Sequence, residues 1–205
     1  MPSTYHRKVT LTLDAAAREG ILDFVRPLSV GTDGVTTFGF VKRRLAIVGR
    51  LRESALPGEK GRAAEEGRLF LLTAFAGLPS RRIDPSGRAG LLLKSAGIPF
   101  EEVRILVSSL RRYESDPRSA EEELVHDAVL LESVGAYGVT QLLVVGTRER
   151  MTLAEMAHEI VEKMESARFA TPAGRRLAAD RIAFATLFAR KLAEEAGEFE
   201  AARGP

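Results

Sequence analysis

The chain has no cysteine and no asparagine among its 205 residues, a single glutamine (Gln141), and three histidines, His6, His126 and His158. The lack of cysteine excludes disulfides, thiolate metal sites and cysteine nucleophiles together. No apolar run approaches the roughly 18 residues of a membrane span, because the longest candidates are interrupted by charge. The segment from Met1 to Lys8 leads into no long apolar stretch, so no signal peptide is expected and the cytoplasm is the expected location. A basic stripe is missing too. The 30 Lys and Arg stand against 28 Asp and Glu, a formal charge of +2, so the pI of 9.1 reflects arginine abundance and no nucleic-acid partner is expected. Depletion of amides and cysteine beside many Arg–Glu neighbours is the pattern of heat-adapted proteins. A GC-rich genome would enrich Arg, Ala and Gly in the same way, and both readings stand.

What the chain does have is helix signal. Hydrophobic residues make up 45% and charged residues 28%, a mix that suits one soluble helical domain with a sizeable core. Asp14 caps a first segment that runs through Ile21, Phe24 and Val25 toward Pro27. Phe40, Leu45, Val48 and Leu51 give a second apolar face, and residues 62–77 a third helix with Leu69, Leu71, Leu72 and Phe75 inward. Asp84-Pro85 has the form of a helix start, with Gly97 ending that helix before Pro99. Val103, Leu106 and Leu110 mark the next unit. Ser119 with Glu122, and Thr152 with Glu155, read as capping boxes. Leu153, Met156, Ile160 and Met164 share one face of a later helix, and Leu177, Phe184, Phe188 and Leu192 trace a stripe along the last, which Thr171-Pro172 opens. Only Lys8 to Leu13 alternates like a strand.

Two segments then carry a resemblance. Asp127-Ala128-Val129-Leu130-Leu131-Glu132-Ser133-Val134-Gly135-Ala136-Tyr137-Gly138 resembles the "DADRLDALGAIG" signature of bacterial HD-domain phosphohydrolases. Thr171 to Phe188, with Thr171, Leu177, Ala178, Arg181, Phe184 and Phe188, resembles that family's closing helix, and Pro117 falls where the family often carries proline ahead of the signature. Residues 35–113 are similar only in helix order and spacing. The small residues Gly135, Ala136 and Gly138 let their helix approach a neighbour closely. The resemblance implies an all-α, HD-domain-like helical bundle with a long C-terminal helix. It divides the single domain 1–205 into an N-terminal extension and first helix (1–34), an HD-like core (35–195) and a tail (196–205).

The resemblance also implies a divalent metal held by a first histidine, an adjacent His-Asp pair and a final aspartate, because activating water on a phosphoester needs imidazole and carboxylate donors. Asp127 matches the final aspartate. The first histidine falls near Phe38–Phe40, and Ala76 and Gly77 stand where the His-Asp pair would be. No histidine lies between residues 7 and 125, so a shift of one or two positions restores no ligand.

His126-Asp127 spells the motif literally, but adjacent helical residues point about 100° apart, and the plain reading is an ordinary, partly exposed histidine beside a structural carboxylate. Glu155-x-x-His158 has the spacing of di-iron bundles, yet Glu155, His158, Glu159 and Glu162 lie opposite the apolar face. No phosphate loop, dinucleotide fingerprint or nucleophile elbow is present. Arginine pairs recur at Arg43–Arg44, Arg81–Arg82, Arg111–Arg112 and Arg175–Arg176. Their plain reading is surface charge. The sharper one is that the first three pairs, which flank the missing ligands, bind a phosphate-containing small molecule without a metal, beside Asp127.

Three functions follow as expectations. The first is an HD-like protein without catalysis that serves as a binding or regulatory module, with no metal ligand set and no cofactor. The second is a divergent phosphohydrolase that holds Mg²⁺ or Mn²⁺ through Asp127 with carboxylates such as Asp84 or Glu132. The third is a helical interaction protein that packs a partner or a second copy of itself.

Overall fold

The computed structural model describes residues 10–29, 38–78 and 86–203, with side chains to residue 197. All regular structure among them is helical: α1 (Ala15–Leu28), α2 (Phe38–Ser54), a 3-10 turn (Lys60–Ala63), α3 (Glu66–Phe75), α4 (Arg88–Ser95), α5 (Phe100–Arg112), α6 (Ala120–Ser133), α7 (Gly135–Arg148), α8 (Leu153–Ser166) and α9 (Pro172–Arg203). No single described helix is long and apolar enough to cross a membrane.

Local chemistry sets most of the helix ends. The Asp14 carboxylate accepts from the Ala17 amide and starts α1. Thr152 and Glu155 form the reciprocal capping box expected at α8. Gly97, at φ +75°, ends α4 in a left-handed conformation, and the Ile98 amide reaches back to the Leu93 carbonyl. One end differs from expectation. Residues 62–77 are not one helix, because the Glu65 side chain accepts from the Gly67 and Arg68 amides and starts α3 afresh after the 3-10 turn. Asp84-Pro85 lies outside the described residues, and α4 begins at Arg88 with Gly87 before it. α9 extends to Arg203.

The alternation at the N-terminus is half fulfilled. Leu11 and Leu13 are buried while Thr10 and Thr12 are exposed, yet no strand pairs with them among the described residues. Lys8 lies outside that range.

Helix α6 occupies the centre, in contact with α2, α3, α7, α9 and the 3-10 turn. Helices α1 to α5 pack on one another, α7, α8 and α9 do likewise, and α2 also meets α9. Leu124, Val125, Ala128 and Leu131 of α6 are fully buried, and meet a core built from Ile21, Leu51, Leu71, Phe75, Leu93 and Ile160. Along α8, Met156, Ile160 and Met164 are buried as expected, but Leu153 is half exposed. The stripe on α9 is displaced as well. Its buried side is Ala173, Ala178, Ala185, Ala189 and Ala196, whereas Phe184 and Leu187 are exposed and Phe184 stacks on Phe188. Alanine gives up little side-chain volume at the contact, so α8 and α7 can lie close against α9.

Between α6 and α7 the chain bends by 63° with a single residue in the break. Gly135 makes this possible at φ +82°, a region that L side chains rarely adopt. A Cβ there would also lie 2.9 Å from the Arg181 Cβ on α9. Gly135→Ala is therefore expected to lower stability by at least about 2 kcal/mol. Gly49→Ala, inside α2 with nothing within 4 Å of its Cβ position, should be neutral or stabilising by up to about 1 kcal/mol. Urea unfolding of the two variants checks this, and equal effects would refute the role given to Gly135.

Candidate functional site

A helix buried on several faces is ordinarily apolar all round. α6 instead carries three buried carboxylates, Glu122, Asp127 and Glu132, five residues apart. Five residues turn a helix through about 140° beyond a full turn and advance it about 7.5 Å. The three side chains therefore leave α6 in different directions, and each meets a different helix.

Glu122 takes four donors: the Arg112 Nε at 2.9 Å and Nη2 at 2.6 Å, the Ser109 hydroxyl at 2.5 Å, and the Arg118 amide at 2.7 Å. The Glu122 amide still donates to the Ser119 hydroxyl. The expected capping box is thus half made, because the carboxylate serves Arg112 and the Arg118 amide instead. Burial pushes the Glu122 carboxyl up, but the hydrogen bonds from Arg112, Ser109 and Arg118 outweigh it, and the group sits below its ordinary value.

Asp127 turns to the start of α9. It accepts from the Ala170 amide at 2.7 Å, the Thr171 amide at 2.9 Å and the Thr171 hydroxyl at 2.5 Å. Both oxygens are engaged in holding a helix N-terminus. Gly174 makes room for this, since a Cβ there would lie 2.1 Å from the Asp127 Oδ2. Burial raises the Asp127 carboxyl above its usual range, and the Thr171 and Ala170 bonds offset only part of the rise.

Glu132 meets Arg44. The Arg44 Nε and Nη2 donate to the Glu132 Oε2 at 3.0 and 2.8 Å, and Nη1 donates to the Ala76 carbonyl at 2.5 Å. The same guanidinium covers Gly77, whose Cβ position lies 3.4 Å from Nη1. Beside it the Tyr113 hydroxyl accepts from the Gly77 amide and donates to Glu114. Burial lifts the Glu132 carboxyl, and Arg44 works against that. The other oxygen, Oε1, is buried without a partner.

These residues do not fit a divalent cation. Ala76 and Gly77 offer no side-chain donor, and a guanidinium lies against them. Asp127 and Glu132 diverge around α6, and among the described residues no three His, Asp or Glu side chains come close enough to share an ion. Asp84 lies outside the described residues. The His126 Nδ1 is 3.0 Å from the Tyr113 carbonyl and its Nε2 is 2.9 Å from that of Arg168, so both ring nitrogens face backbone. Glu155, His158, Glu159 and Glu162 form an exposed face.

The arginines do not gather at one point. Arg44 and Arg112 are held by carboxylates ten residues apart on α6, about 15 Å along its axis. Arg111 is exposed, and Arg81 and Arg82 lie outside the described residues. Arg176 pairs with Glu59, and Arg175 donates to the Phe169 carbonyl. Arg43 points elsewhere than its neighbour Arg44. Its guanidinium lies over the Tyr137 ring, 3.9 Å from the centroid, in an open groove with Arg181. Sequence reading missed Glu122 as a buried acceptor and Arg181 as a groove residue. Acids at intervals of five inside the apolar run Leu124-Val125-Ala128-Leu131 are the signal that was available for the first. For Arg181 no local signal exists.

No family model matches the chain, and no curated protein sequence does. Solved structures do match. The Bacillus subtilis protein YpgQ is similar at a TM-score of 0.66 and 18% identity, over 88% of this chain and 95% of YpgQ. A Lactobacillus plantarum protein is similar at a TM-score of 0.65 and 12% identity, over 90% of this chain and 98% of that one. A structure of YpgQ in complex with ADP gives 0.62 and 16%, over 87% and 97%. The chain shares their helical fold. At these identities the fold is what the likeness conveys.

Two expectations follow from the carboxylates of α6. Arg44→Met leaves Glu132 buried without its cation and should cost about 3–5 kcal/mol. Adding Glu132→Leu should restore most of that loss, and a double-mutant cycle by urea unfolding reads the coupling. Additive losses would show that the pair is not coupled. The second concerns pH. A carboxyl lowered on folding, as Glu122 is, contributes stability in full above the unfolded pKa and loses it as pH falls through the folded value. Asp127 and Glu132, raised by burial, act with the opposite sign, costing stability as pH rises through that interval. Glu122→Gln should therefore cost about 3 kcal/mol at pH 7 and progressively less below about pH 4. An equal cost at pH 7 and pH 3 would argue against a charged Glu122.

Proposed function

We propose that the protein is a non-catalytic, HD-like binding module that takes a phosphate-bearing small molecule without a metal. The observation that carries this reading is the Arg44 guanidinium, buried between the Glu132 carboxylate and the Ala76 carbonyl. By the resemblance, which over residues 35–113 rests on helix order and spacing, Ala76-Gly77 corresponds to the metal-binding His-Asp pair. A fixed positive charge there repels a cation that the donor set has no means to hold. The remaining carboxylate of the family pattern, Asp127, is spent on the start of α9.

The phosphate half of the reading draws support from the shared fold and from the ADP bound to YpgQ. Guanidinium is also the side-chain group best matched to phosphate geometry, and the chain is rich in it. Metal-dependent phosphoester hydrolysis would need a bound water activated by an ion, which this set of side chains does not favour.

Metal analysis and a turnover screen test the proposal together. Protein stripped with EDTA and resupplied with Mn²⁺ or Mg²⁺ is expected to retain substoichiometric metal and to hydrolyse no nucleotide or phosphomonoester. Calorimetric titration with ADP in the presence of EDTA is expected to give saturable binding. Metal-dependent turnover of any phosphoester would overturn the non-catalytic assignment.

A further inference from the structure

Helices α2, α7 and α9 meet around an open groove of about 530 Å³, lined by Arg43, Val134, Gly135, Ala136, Tyr137, Thr140 and Arg181. No acid lines it. Several other arginines reach a carboxylate, among them Arg18, Arg44, Arg68, Arg112 and Arg176. Arg43 and Arg181 are held by uncharged groups instead. Arg43 stacks on Tyr137, which meets Phe40 edge-on, and the Arg43 Nε is buried without a hydrogen-bond partner. The Arg181 Nη1 donates to the Leu131 carbonyl at 2.8 Å, near the end of α6.

Both guanidiniums are thus fixed in place without a carboxylate partner in hydrogen-bond reach, although Arg43 lies close enough to Glu132 to act on its carboxyl. Arg181 is held below the usual arginine range, first by burial and then by the charges of Arg43 and Arg50. The first turn of α7 adds to the same field. Val134 gives its amides no side-chain cap, and no acidic residue stands in that turn, so the partial positive charge of this helix end lies beside the groove that Gly135 and Ala136 line.

We infer that the groove between Arg43, Arg181 and the first turn of α7 is a binding site for a phosphoryl group, free or carried by a small molecule. The two arginines would supply forked donors to such a group, and the positive end of α7 would add to their field. Stacking and the carbonyl bond fix the arginines beforehand, so little side-chain entropy is lost on binding. The inference gives a location to the metal-free phosphate binding proposed above and rests on that reading.

Calorimetry with inorganic phosphate, pyrophosphate and ADP, on the full chain at low salt with EDTA, tests it. Arg43→Gln and Arg181→Lys should each weaken binding by about tenfold. Ala136→Glu, at an exposed position in the first turn of α7, should abolish binding while leaving the melting temperature unchanged or higher, since an acid there suits the helix end. This variant separates loss of the site from loss of the fold. Arg111→Gln, exposed on α5, should bind as the parent does. Tighter binding of ADP than of phosphate would assign the groove to a nucleoside phosphate, and equal binding to a bare phosphoryl group; either supports the inference. Parent protein that binds these anions while the groove variants bind equally well would sink the location and leave the proposed function standing. No binding of any of the three by the parent protein would remove both.

Discussion

Helix α6 carries a carboxylate into the core at every fifth position, and burying such a group costs several kcal/mol unless charge and hydrogen bonds meet it. Glu122, Asp127 and Glu132 lie on a helix in contact with α2, α3, α7 and α9, so their partners fix how the helices around it sit. Glu122 needs Arg112 and Ser109 from α5. Asp127 needs the start of α9. Glu132 needs Arg44 from α2. Apolar packing alone tolerates many rotations of a helix. Three charged contacts about 140° apart tolerate few.

On the reading proposed here, the Arg44–Glu132 pair has taken over a structural task that a cation would perform in a related fold, tying α2 and α3 to α6. A guanidinium does this with one charge and directed hydrogen bonds, and it donates to the Ala76 carbonyl at the end of α3 as well. The exchange has a chemical consequence. A metal presents open coordination positions to water and substrate, whereas the Arg44 donors face protein groups on every side that the structure records.

Arg43 and Arg44 show how one step along a helix separates two roles. About 100° of rotation sends Arg44 into the core toward a carboxylate and leaves Arg43 at a groove, stacked on Tyr137. Arg181 reaches that groove from α9, far away in sequence, and anchors on the carbonyl of Leu131. The bend at Gly135 places the first turn of α7 beside both. An arginine paired with a carboxylate and one stacked on a ring thus occupy neighbouring positions, and their partners distinguish them.

What can be read along the chain is whatever depends on near neighbours. The caps at Asp14 and Thr152, the stop at Gly97, the all-helical class and the missing imidazoles between residues 7 and 125 are of this kind, since a cap or a ligand inventory is a property of a few adjacent residues. Whatever depends on how helices are rolled against one another is not. Leu153 and Phe184 satisfy the apolar periodicity yet stay exposed, and alanines form the buried side of α9, because close helix approach selects small residues over large ones. The four arginine doublets look alike in one dimension, and tertiary packing decided which member met Glu132, which met Glu122 and which met no acid at all.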